Sequence, residues 1–434
     1  MNNTPEELIY WAKVVSDKWK ITGQFSVLNS EFDTNFELLA REDKKFIVKI
    51  MRKTYQEDFL NAQISILDFL KQEKAKVNVP NIIKSTFGNN FEVVLDLNKD
   101  ERIVWVLEKI EGILFSDVFP KSKDLMLDLG EKVGALDIRS KKFTKDIKVP
   151  IHKWNLTEPL WIREYVSEIQ DPNLEKVICK ILEEFSKISS KLNKLPHFWI
   201  HNDLNDQNIL VQLSSKGKST VSGILDFGDL SKSPTICNVA ICSAYLLILP
   251  KIGLELQLEF LRGYHTFNHI SEDEIDILYT LIMTRLAVSF VNSLVMSKQK
   301  PDDPYVIISQ EHVKKYLCDI ANDQNFFTAR FREACGFSPI RMGNDVVDFL
   351  NQSEGVFHSV IDMKLDDVKI IELDPENSII PENPHYITEA EALNLTGTRR
   401  VKNAPSIYLG KYLEPRLIYT TQNFRVADGK NSNR

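Results

Sequence analysis

The sequence predicts an α+β protein in which a small β-rich lobe leads into a larger helical lobe and then into a small β-rich module. Three observations predict this. Residues from about 20 to 107 alternate apolar and polar with period two. Helical periodicity dominates from about 110 to 322, with one interruption between Trp199 and Phe227. Strand-like runs return among Pro- and Asn-rich turns after about 340. The expected parts are 1–108, 109–325 and 340–434.

The elements follow in order. Thr4-Pro5-Glu6-Glu7 reads as a capping box opening an amphipathic helix through Trp11 and Val15. Phe25–Leu28, Asn35–Leu39 and Lys45–Ile50 read as strands, with a polar turn from Asn29 to Asp33. Tyr55–Lys71 reads as a helix, and 91–97 and 102–107 as two more strands. The larger lobe carries helical patterns over 124–136, 174–192, 271–297 and 310–321. Two short apolar runs, 209–211 and 223–225, predict a hairpin inserted among them. The last module is read from 356–363, 368–372, 406–412 and 416–419, and the polar tail after Ala427 is expected to be disordered.

Composition narrows the function classes. The 434 residues carry a net charge of -7, which leaves no basic footprint for nucleic acid or an anionic membrane. Five scattered cysteines without a CxxC pair argue against a disulfide framework or a structural zinc. Cys237 and Cys242 read as buried small hydrophobes in the most apolar run, 236–249. That run is too short to span a bilayer and reads as a core helix. A reducing, cytoplasmic compartment is expected.

The chemistry is concentrated in two neighbouring words. His201-Asn202-Asp203 with Asn208 forms H-x-D-x-x-x-x-N, and Asp226-Phe227-Gly228 follows beyond the hairpin. Phosphoryl transfer needs charge neutralisation and positioning more than covalent chemistry. Asp203 is the candidate base for an acceptor hydroxyl. Asn208 and Asp226 offer hard oxygens to Mg2+, and the hairpin is expected to bring them side by side. Gly228 is expected to let the backbone turn beneath the metal. His201 is expected to brace the loop.

These words, as LNDQNILV and SGILDFGD, resemble the aminoglycoside phosphotransferase and choline kinase superfamily, and within it hydroxylysine kinase-like proteins. The resemblance extends from Val27–Phe36 to Gly263-Tyr264-His265 and 278–292. It implies a two-lobed protein-kinase-like fold, transfer of the γ-phosphoryl group of ATP or GTP with Mg2+, and a small hydroxylated amine or amino acid as acceptor. 5-Hydroxylysine leads; choline, ethanolamine, homoserine and an aminoglycoside remain, as does a pseudokinase-like binding module.

Carried over residue by residue, Lys49 is implied to contact the α- and β-phosphates. The glycine-free turn 29–35, with Ser30 and Asn35, is implied to cover them. Glu108 and Ile110 mark the hinge that meets the purine. The helix partner of Lys49 is expected at Gln63, where a glutamate is usual, with Glu57 and Asp58 earlier on the helix. Asp229 is either structural or supports the metal loop. Asp206 is either a solvated loop charge or a contact to an amine. Arg285, on an apolar helix, is either a buried salt bridge or a clamp on a substrate carboxylate. Residues 326–337 and 406–419 resemble the segment after the kinase part of bacterial fusions, which implies docking to aminotransferase-like or peptidase-like domains.

Overall fold

The computed structural model describes residues 4–28, 33–73, 77–145, 147, 153–213, 217–249, 252–299, 304–321 and 324–337. Ser30, the tail and the C-terminal module expected over 340–434 lie outside them.

The chain opens with α1 (Pro5–Trp19). Both halves of the capping box are present: Glu7 N–H donates to Thr4 Oγ1, and Thr4 N–H donates to the Glu7 carboxylate. Trp11, Val15 and Trp19 pack with Phe25, Phe36, Val48 and Val106 in one apolar cluster. The sheet comprises β1 (Gly23–Leu28), β2 (Thr34–Ala40), β3 (Lys45–Ile50), β4 (Asn81–Ile83), β5 (Glu92–Leu95) and β6 (Glu101–Glu108). Its order is β1-β2-β3-β6-β4, with β5 also on β6, and every pairing is antiparallel. Helix α2 (Glu57–Gln72) lies between β3 and β4 in sequence. At three residues, β4 is too short to leave a period-two signal, which is why the sequence pattern does not reveal it.

The helical part contains β7 (Ile113–Leu114), α3 (Lys123–Ser140), α4 (Pro172–Lys194), β8 (Phe198–Ile200), β9 (Ile209–Leu213), β10 (Ser219–Ile224) and β11 (Ser231–Ser233). Helices α5 (Ile236–Ile248), α6 (Leu254–Phe267), α7 (Glu272–Gln299), α8 (Pro304–Ile320) and α9 (Gln324–Ala334) follow. The expected hairpin is β9–β10, with a bulge between Val221 and Gly223. All five cysteines are free thiols, and Cys237 and Cys242 are buried.

Helices α3 and α6 approach closely through glycines. A Cβ on Gly130 would lie 2.0 Å from the Phe260 carbonyl oxygen, and one on Gly263 would lie 2.1 Å from that of Leu127. Beside this contact, buried Asp137 accepts from Nδ2 of Asn238 (2.7 Å) and from the Tyr264 hydroxyl (2.6 Å). Oδ1 of Asn238 in turn accepts the backbone N–H of Asn202 (3.0 Å). The core thereby holds the residue next to Asp203.

The described residues divide into two compact units: those up to His269 with Leu281–Tyr316, and Ile270–Thr280 with those from Leu317 to Phe337. In the second, Arg332 pairs with Glu272 (2.5 Å) and Asp276 (2.8 Å), and Phe327 packs on Tyr279. The segment Glu272–Lys298 of α7 is long and apolar enough to cross a membrane, with a mean hydropathy of 1.5. In this structure 83% of its apolar 18-residue stretch is buried, as in a core helix.

Candidate active site

All of the site geometry described here lies within the first unit. β3 places Lys49 opposite Asn35 of β2 and Trp105 of β6. The Lys49 ammonium lies 3.1 Å from Oδ1 of Asp226 and 5.9 Å from the Trp105 ring centroid. Burial pushes this amine down, and Asp226 with Asp33 push it up; the net shift is upward. In return the Lys49 charge holds the Asp226 carboxyl below its usual range.

Among the described residues no helix carboxylate pairs with Lys49. Gln63 is buried and donates to the Tyr55 hydroxyl instead, while Glu57 and Asp58 sit exposed at the start of α2. A neutral amide cannot complete an ion pair, so the carboxylate of Asp226 takes that place.

The catalytic-loop candidate is held from several sides. His201 Nε2 donates to the Leu225 carbonyl (2.7 Å), and its Nδ1 accepts the Asp203 N–H (3.2 Å). That arrangement is the neutral imidazole, and burial pushes His201 down. The ring packs edge-on against Phe227, 4.6 Å between centroids. His201 thus ties the Asp203 loop to the Asp226 loop, the bracing expected of it.

Asp203 is ringed by donors. Oδ2 accepts from Nδ2 of Asn205 (2.9 Å) and Nδ2 of Asn208 (2.8 Å), and Oδ1 accepts from Arg285 Nη2 (3.0 Å). Burial raises its pKa, the Arg285 charge opposes this, and the net shift is upward. Arg285 is therefore in a buried ion pair, and its partner is the base candidate itself. Asn205 also accepts the N–H groups of Gln207 and Asn208 through Oδ1, an Asx turn that shapes the loop.

Asn208 and Asp226 come together as the hairpin predicts, with Leu225 N–H donating to the Asn208 carbonyl (2.8 Å). The expectation for Gly228 is corrected. Asp226 itself takes the left-handed conformation (φ 51°), and its Oδ1 accepts Gly228 N–H (3.2 Å). A short polar side chain tolerates that conformation because it can bond locally. Gly228 is needed for space, since a Cβ there would lie 2.9 Å from Oδ1 of Asp226.

The donor set suits a hard divalent cation. Both amide hydrogens of Asn208 are spent on Asp203, on its carbonyl (2.9 Å) and on Oδ2, which leaves the amide oxygen facing away. Asp226 uses Oδ1 for Lys49 and Gly228, leaving Oδ2, and its side chain is 47% exposed. One carboxylate and one amide oxygen would supply only part of the hard-oxygen shell of such a cation. Among the described residues no group of three His, Cys, Asp or Glu could hold a metal alone.

The other candidates sit around this cluster. Asn35 Oδ1 is buried beside Lys49 and has no partner among the described residues. Glu108 ends β6 and accepts from Nδ2 of Asn81. The Ile110 side chain covers Gly223 of the hairpin, where a Cβ would meet it at 2.9 Å. Asp206 accepts Ser116 N–H through its carbonyl, and burial raises its carboxyl. Sequence reasoning missed Tyr55, Trp154, Asn205 and Tyr245. Only Asn205 left a local signal, an Asx-turn residue inside the motif.

The profile of the phosphotransferase enzyme family (APH) matches residues 24–275, more than half of the chain. The chain belongs to that family, and it is a small-molecule phosphotransferase with an alcohol group as acceptor. It is 25% identical over 299 residues to a hydroxylysine kinase of Danio rerio, spanning 67% of this chain and 81% of that one. An amicoumacin kinase in complex with AMP-PNP, Ca2+ and Ami superposes with a TM-score of 0.56 at 17% identity, covering 73% of this chain and 94% of that one. The GDP complex of an aminoglycoside 2'-phosphotransferase gives a TM-score of 0.52 at 19% identity, covering 72% and 99%. These two likenesses establish the two-lobed kinase-like fold.

Proposed function

We propose that this protein transfers the γ-phosphoryl group of ATP or GTP to a hydroxyl of an amino acid or amino alcohol, with 5-hydroxylysine the leading acceptor. One observation carries the reading. Asp203 and Asn208 are bonded to each other, and their loop is tied through His201 to the loop of Asp226, which Lys49 meets from the sheet. The hydroxylysine kinase of Danio rerio supports the acceptor class, and the nucleotides named with the structural neighbours support a purine triphosphate.

In this reading Asp203 accepts the acceptor's proton, and its raised pKa suits a base. Lys49 binds the α- and β-phosphates, with Asn35 and Ser30 beside it. Glu108 and Ile110 meet the purine through the backbone. Asn208 and Asp226 hold Mg2+, which when bound neutralises phosphate charge. The reducing cytoplasm is the expected setting.

The test is a panel of hydroxy amino acids and amino alcohols with ATP and with GTP, with and without Mg2+, read as nucleoside diphosphate released. Turnover of 5-hydroxylysine is expected. A panel with no turnover, together with no magnesium-dependent thermal shift by either nucleotide, sinks the proposal.

A further inference from the structure

The bonds around Asp203 indicate where the acceptor sits. A carboxylate offers roughly four acceptor positions, two on each oxygen. Oδ2 is filled by Asn205 and Asn208. Among the described residues Oδ1 receives one donor, Nη2 of Arg285. The position left open is therefore on Oδ1, on the oxygen that Arg285 holds.

The surroundings of Arg285 define that side. Its other Nη2 hydrogen goes to the Tyr245 hydroxyl (3.1 Å), and Nη1 donates to the Trp154 carbonyl (3.2 Å). The guanidinium lies over the Trp154 ring (4.6 Å) and the Tyr245 ring (5.4 Å) and is 1% exposed. Two ring contacts and three hydrogen bonds leave it little freedom to move. Because the Tyr245 oxygen accepts from Arg285, its own proton must point elsewhere. Burial pushes Tyr245 up to about 12, so the hydroxyl keeps that proton as a donor. Tyr245 is only partly buried, whereas Ala244 and Leu246 on either side of it are buried.

We propose that the acceptor hydroxyl binds at the open position of Asp203 Oδ1, that Arg285 is the positioning residue presenting this oxygen, and that the Tyr245 O–H donates to the acceptor molecule. The inference rests on Asp203 being the base. In the step it describes, the acceptor oxygen forms a bond to the γ-phosphorus as the bridging P–O bond breaks. The bond pair leaves with the nucleoside diphosphate, and the hydroxyl proton passes to Oδ1.

Steady-state kinetics with MgATP and the best acceptor of the panel, on the full chain, test it. Tyr245→Phe should raise the acceptor KM roughly tenfold while the nucleotide KM stays within about twofold. Arg285→Met should lower kcat on the order of 100-fold by releasing Oδ1, and Arg285→Lys should restore part of the loss. Melting temperatures are recorded in parallel, and if Arg285→Met does not fold, Arg285→Lys still reads the effect. An unchanged acceptor KM in Tyr245→Phe, full kcat in Arg285→Lys, or a nucleotide KM rising in step with the acceptor KM overturns the proposal. Asp203→Asn separates the two levels. If it is inactive, the base assignment stands whatever Arg285 and Tyr245 do; if it is active, both fall.

Discussion

Lys49 on the third strand and Asp226 at the end of the hairpin lie 177 residues apart in sequence and 3.1 Å apart in space. The pair joins the sheet to the loop proposed to hold the metal. It also fills the place that a helix glutamate would take, because Gln63 is turned to Tyr55.

Losing the ammonium should weaken nucleotide binding. Lys49→Met is expected to raise the nucleotide KM by about tenfold or more, the usual effect of deleting a charge-assisted bond. The acceptor KM should change little. Isothermal titration with ATP or GTP in the presence of Mg2+ checks this, and unaltered affinity would remove Lys49 from the phosphate site.

Asp226→Asn should abolish the magnesium dependence of the nucleotide thermal shift, since the carboxylate is the only charged oxygen in the donor set. Chelation of divalent cations should stop wild-type turnover, and added Mg2+ should restore it. A variant that still responds to Mg2+ contradicts the metal assignment.

For Asp203→Ala, turnover should fall by about 100- to 10,000-fold, with nucleotide affinity preserved. The structure adds a reason for the second half. Lys49, the residue proposed to bind the phosphates, is held by Asp226 and not by Asp203, and the Asn208 amide keeps its bond to the backbone carbonyl of residue 203. Full activity of this variant would falsify the base assignment.

Asp137 should make stability depend on pH. Burial lifts its folded pKa to about 7, against the opposing bonds of Tyr264 and Asn238 and the charge of Lys141. A carboxyl whose folded pKa is raised binds its proton more tightly in the native state. Its contribution is therefore fully present at low pH and is lost as pH rises toward 7. Asp137→Asn removes that titration, so the stability difference should shift in the variant's favour between pH 4 and 7, by up to about 4 kcal/mol. Urea denaturation of both proteins across that range measures it, and parallel curves contradict it.

Gly263→Ala should destabilise by roughly 1–3 kcal/mol or more, because its Cβ would meet the Leu127 carbonyl, which is backbone and cannot swing aside. A melting temperature equal to the wild type's would show that α3 and α6 can separate without cost.

Several features were legible in the sequence because their causes are local. Thr4 and Glu7 close a capping box within four residues, and β1, β2 and β3 announce themselves by alternation. The spacing of Asn208 and Asp226 around two short apolar runs places both at the open end of one hairpin. A turn residue and a period of two need no knowledge of the rest of the chain.

Tertiary structure alone decided the partners. Lys49 meets Asp226 rather than a residue of α2, Arg285 meets Asp203 across 82 residues, and Asn238 holds the backbone beside Asp203. It also put the left-handed turn on Asp226 rather than Gly228. A charge or amide on an apolar helix states that it needs a partner, but packing decides which one comes within reach. The sequence by itself thus determined which chemical groups this phosphotransferase carries, and the fold determined which oxygen of Asp203 is left open.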